Sequence, residues 1–160
     1  MVSRLLAVLF LPGGAQATTP LSGVIIIAHE RSDTAGKTYL KANCRTNSIL
    51  IHARGELWSA ADARANLGPQ VAYAWDDGFL EELWISRVQQ PRAADGSLVH
   101  RPRVLNVRDP FALAQQARLT RARWLKVQVD KVSGQRMTLL FDGRELRAGL
   151  EVHPECLAAQ

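Results

Sequence analysis

Of the side chains able to do chemistry, the cysteines carry the sharpest signal. The 160-residue chain has two, Cys44 and Cys156. In an exported protein an even count predicts a disulfide, and two cysteines permit one intramolecular pairing. The closed loop would span most of the chain. On chain-entropy grounds a loop of ~100 residues contributes up to about 4.7 kcal/mol before strain is subtracted. That is a large share of a typical ~5–15 kcal/mol stability. A redox pair or an intermolecular link are the alternatives, and no C-x-x-C supports thioredoxin-like exchange.

The other reactive types are scattered. His29, His52, His100 and His153 form no H-E-x-x-H or other zinc spacing, so no metal or cofactor is expected. Serine catalysis would call for a G-x-S-x-G elbow, which the sequence lacks. Asp76, Asp77, Glu81 and Glu82 could pair as carboxylates do in glycoside hydrolysis, but they flank a D-G turn whose ordinary reading is a solvated hairpin tip. No catalytic residue is assigned. Of the four tryptophans, Trp75 and Trp124 fall in strand patterns and are expected in the core. Trp58 and Trp84 could present an indole to a ligand. With Arg92, Arg101 and Arg103 they form the candidate binding surface.

The start of the chain, MVSRLLAVLFLPGGAQA, has the layout of a secretory signal peptide. Arg4 precedes an apolar run, Pro12 and two glycines break it, and Ala15-Gln16-Ala17 is an A-x-A cleavage site. The run is far shorter than the roughly 20 apolar residues that cross a bilayer. The expectation is therefore a signal over 1–17, a single β-rich domain over 18–160, no transmembrane anchor, and a periplasmic or secreted product. The formal charge is +5, with arginines concentrated in the second half. Such a surface suits an anionic partner such as cell-wall polymer or lipid head groups. Nucleic acid is not expected, because export and the lack of a nucleic-acid motif both argue against it.

Positioning these residues requires elements that the patterning supplies. Residues 21–28 (LSGVIIIA) read as a buried strand, since β-branched side chains are stiff at χ1. Residues 37–44 alternate, with Thr38, Leu40, Ala42 and Cys44 on one face, and pair with 48–53 as a hairpin. Residues 59–68 fit a short helix or a loop. Residues 70–75 form a strand, the D-G turn follows, and 82–88 are expected as its partner strand. A long exposed loop is expected over 89–96. Asp109-Pro110 opens a helix with Phe111, Leu113, Ala114 and Ala117 as its apolar stripe. Strands at 124–130 and 136–142 precede a final helix with Leu146, Leu150 and His153 on one side. The order predicts an α+β fold, mainly antiparallel β: a sandwich or twisted sheet with short helices packed on it.

Five stretches, LKANCRTNSILIHA, VAYAWDD with EELWISRV, DPFALAQQARL, WLKVQV and FDGRELRAGLEVHPEC, carry a resemblance. Together they resemble the VasI/TagO-like group of small periplasmic proteins associated with type VI secretion. The chain departs from that group in lacking a cysteine-containing stretch just after the signal. The resemblance implies a disulfide between Cys44 and Cys156. It also implies an exported, non-catalytic accessory or binding protein of the bacterial cell envelope, whose partner is another envelope or secretion-system protein, or wall polymer. Two other functions suit a small disulfide-pinned domain: an inhibitor or immunity-type protein acting through the polar loop over 89–103, and an enzyme acting on wall polymer.

Overall fold

The computed structural model describes residues 23–65, 67–86, 94–96 and 101–158. The chain order is β1 (Val24–His29), β2 (Tyr39–Asn43), β3 (Ser48–His52), α1 (Ala60–Arg64), β4 (Gln70–Trp75), β5 (Glu81–Glu82), β6 (Ile85–Ser86), β7 (Val104–Val107), α2 (Pro110–Leu119), β8 (Trp124–Asp130), β9 (Arg136–Asp142) and α3 (Gly143–Val152). The strands make two antiparallel sheets, ordered β1-β2-β3-β7-β6 and β5-β4-β8-β9. This is the expected α+β architecture, mainly antiparallel β.

Strict alternation turns one face of each sheet inward. Leu40 and Ala42 on β2, Ile49 and Ile51 on β3, and Leu125, Val127 and Val129 on β8 are all buried in one core. Strand β1 departs from alternation through a bulge between Ile26 and Ala28. The inserted residue lets Ile27 and Ala28 both face inward while Ile26 stays exposed. The apolar run at the start of this segment is thus only partly buried, contrary to the sequence reading.

The two sheets meet at their edges. Glu30 forms a bridge to Phe141 that connects the end of β1 to β9. At the opposite edges β5 and β6 are separated only by Leu83 and Trp84, so the chain steps there from one sheet to the other. Leu83 donates its N–H to Val71, and the Trp84 carbonyl accepts from Arg108. The single strand expected over 82–88 is thereby corrected. Leu83 is buried and Trp84 exposed, and the break between them divides one apolar run between two sheets. Residues 87–93 and 97–100, which include Arg92 and most of the expected long loop, lie outside the described residues.

The helices close the core. Asp109 caps α2 by accepting the Ala112 N–H, with Pro110 at the first helical position. Pro110, Leu113, Ala114 and Ala117 are buried, whereas Phe111 turns out to solvent instead of joining the stripe. Asp142 caps α3, accepting from Arg144 and Glu145. This helix lies against β1 so closely that a Cβ on Gly149 would stand 2.9 Å from the Cα of Ile27. Beyond α3 the tail returns to the hairpin, where Cys156 is bonded to Cys44. No helix among the described residues is long and apolar enough to cross a membrane.

Candidate binding surfaces

The structure divides the surface expected from Trp58, Trp84, Arg92, Arg101 and Arg103. The Leu57 N–H donates to the Pro102 carbonyl at 2.7 Å, and Ala53 donates to Arg103 at 2.8 Å. Trp58 therefore shares one end of β7 with the exposed Arg101 and Arg103. Its indole is half-buried and packs on the core. Trp84 belongs to the other end of β7. It is 59% exposed and lines a depression of about 400 Å³ with Arg108 and Asp109.

A second depression, of about 450 Å³, was not singled out by sequence. It is lined by Arg121, Arg123, Arg144 and Arg147. The first two come from the link between α2 and β8, the others from the first turns of α3. Three contacts pin link to helix. Arg147 Nη1 donates to the carbonyls of Thr120 and Ala122, each at 3.0 Å. The Gly143 N–H donates to the Arg123 carbonyl at 2.6 Å. Gly143 permits this approach, because a Cβ there would run into the Ala122 carbonyl.

Asp76, read from sequence as part of a solvated turn, supports the same link. Its Oδ1 accepts the N–H groups of Arg123 at 2.9 Å and Trp124 at 2.8 Å. The carboxylate thus holds the chain where it enters β8. Trp124 is not a core residue: it is half-buried on the outer face of its strand. The guanidinium carbons of Arg31 and Arg123 lie 4.8 and 5.1 Å from its ring centroid. These are cation–π contacts, which hold arginines in place while leaving their N–H donors available.

The electrostatics of this region are one-sided. Among the described residues, Arg144 alone of the four lining arginines has a carboxylate within salt-bridge distance, Asp142 at 3.6 Å. The Asp142 carboxyl is held below its ordinary range. Burial pushes it upward, but the N–H groups of Arg144 and Glu145 and the Arg144 charge outweigh that effect.

Three further titratable groups make contacts within the scaffold. The Tyr73 hydroxyl lies within hydrogen-bond distance of Glu81 at 3.0 Å and of Gln116 at 2.9 Å, tying β4 to β5 and α2. Burial pushes its phenol upward. His29 contacts Glu145 at 2.9 Å. His52 stacks on Tyr39 with ring centroids 4.6 Å apart. Comparison with protein-family models, curated proteins and solved structures finds no match.

Proposed function

We propose that this chain is an exported, non-catalytic accessory or binding protein of the bacterial cell envelope, associated with type VI secretion. The observation that carries export is the Cys44–Cys156 disulfide, and the type VI assignment rests on the sequence resemblance alone. Such bonds persist in oxidising compartments and are rare in the reducing cytosol. The leader pattern over 1–17 supports the same destination. The partner under this reading is another envelope or secretion-system protein, or anionic wall polymer, which the arginine-rich surface suits.

The test is expression of the full chain in a bacterium, followed by fractionation, thiol alkylation and intact-mass measurement. The expected product is periplasmic or extracellular, begins at Thr18, and exposes its thiols only after reduction. A cytosolic product with an intact leader and two free thiols would overturn export. Affinity capture from envelope extracts that returns no secretion component would remove the type VI assignment alone.

The Trp84 depression favours a second reading, inhibition of a wall-degrading enzyme or toxin. An exposed tryptophan beside an arginine has the composition of an interface hot spot. Lysozymes and amidases retaining full activity with the purified protein present would rule that reading out.

A further inference from the structure

We propose that the depression lined by Arg121, Arg123, Arg144 and Arg147 is a binding site for a ligand carrying two or more phosphate groups. The inference holds whether or not the chain is exported, because it rests on the site alone. Four arginines line one depression, and among the described residues a single carboxylate opposes them. Like charges brought together repel, and an anion between them relieves that repulsion.

Two of the arginines are held in place. Arg147 is fixed through Nη1 to two backbone carbonyls, while its Nε and Nη2 have no acceptor among the described residues. Arg123 rests on Trp124. Asp76 and Gly143 fix the link that carries Arg121 and Arg123. Such preorganisation lowers the ordering cost of binding.

The chemistry of the lining selects phosphate. A guanidinium presents a planar fork of donors that matches phosphate oxygens bidentately. A tetrahedral phosphate also offers more oxygens than a carboxylate for several forks at once. Size admits more than one phosphate, and four arginine charges exceed the about −1.5 to −2 of a single phosphate group. The depression is open to solvent and offers about 450 Å³, against a share of about 30 Å³ for each water in the liquid. A single inorganic phosphate would leave most of that space to solvent. The helix terminus adds little, since Asp142 already accepts the first N–H groups of α3.

The experiment uses the purified, oxidised chain with two probes that share the chemistry but differ in source. Inorganic diphosphate is titrated calorimetrically. Phosphatidylcholine vesicles with and without cardiolipin, whose head group bears two phosphates, are used for co-sedimentation. Arg121→Gln combined with Arg144→Gln is expected to weaken binding by about tenfold or more. Arg45→Gln combined with Arg54→Gln removes the same charge from exposed positions elsewhere. That pair is expected to stay within about twofold, since distant exposed charges are screened.

Binding to diphosphate assigns a soluble ligand, and binding only to cardiolipin vesicles assigns a lipid head group; either supports the site. Equal losses in the two double variants, or no binding to either probe, would overturn it. If the first double variant does not fold, Arg121→Lys decides. It keeps the charge but loses the fork, so unchanged affinity would refute the proposal and a several-fold loss would support it.

Discussion

The carboxylate of Glu30 accepts the backbone N–H of Leu140 at 3.1 Å, and that bond joins the two sheets where β1 ends. The same side chain takes the N–H and the hydroxyl of Ser32 on its other oxygen, at 2.8 and 2.7 Å. It is 6% exposed, so a donor introduced in its place has little access to water. Glu30→Gln replaces one acceptor oxygen with a donor and strands a partner. We expect a loss of about 1–3 kcal/mol in urea unfolding, the cost of an unsatisfied buried polar group. An unchanged midpoint would show that this junction does not depend on the carboxylate.

The disulfide joins the end of the β2–β3 hairpin to the tail across 112 residues. Replacing both Cys44 and Cys156 by serine removes it without leaving a free thiol. The expected cost is about 2–5 kcal/mol at equilibrium, set by the length of the loop released in the unfolded chain. Reduction of the wild-type protein should give a similar destabilisation, read as a lower denaturant midpoint. A midpoint indifferent to reductant would show that the tail is held without help from the disulfide.

Arg118 holds that tail by a separate means. Its guanidinium donates to the carbonyl of Leu157 at 2.9 Å and to that of Cys156, both from buried residues. Arg118→Met keeps the length of the side chain and abandons those acceptors, at an expected cost of about 1.5–3 kcal/mol. Without the disulfide the tail is free to leave α2, so the same substitution should cost less there. A double-mutant cycle reads the coupling, which contact through a shared segment makes non-zero. Strict additivity would mean that the two devices act on independent structures.

Gly149 opposes two effects. Alanine is the better helix former by about 1 kcal/mol, yet its Cβ would sit 2.9 Å from Ile27 Cα and 3.0 Å from its carbonyl oxygen. Those are backbone atoms of a paired strand and cannot swing aside as a side chain would. Gly149→Ala is therefore expected to destabilise by about 1–3 kcal/mol, as overpacking does. A stabilised variant in thermal unfolding would mean that α3 lifts off β1 at little cost.

Where one local rule governed a segment, the sequence was readable. Alternation located β2, β4, β8 and β9, and Asp109-Pro110 marked the start of α2, because period and capping depend on neighbours only. Strand β7 was missed: VLNV is short and its hydrogen-bonding partners, β3 and β6, are distant in sequence. The split of residues 81–86 was hidden because a junction between sheets leaves no period of its own. Trp124 looked like a core residue, but its strand turns Leu125 inward, and two arginines cover the indole instead. The arginine site was illegible for a related reason. Arg121 and Arg123 meet Arg144 and Arg147 only because Gly143 admits the Ala122 carbonyl, a contact between segments some twenty residues apart.

His52 gives the fold a pH dependence of predictable sign. Its imidazole is held below its ordinary 6.5, chiefly by burial and further by the charges of Lys41 and Arg101. Tyr39 stacks on one side of it, and its Nε2 is buried without a partner among the described residues. As pH falls through 6.5 the unfolded chain takes up a proton that the folded chain resists, so the unfolded state binds more protons. Stability present above that pH is therefore lost progressively as pH falls toward the lower folded value. The depressed carboxyls of Asp33, Asp130 and Asp142 act in the same direction, but only once pH approaches the carboxylate range near 4. His52→Gln, neutral throughout, should flatten the unfolding free energy between about pH 7 and pH 5 while leaving the acid limb intact. Denaturant melts at closely spaced pH values measure this, and an unaltered slope in the variant would assign the dependence to another group.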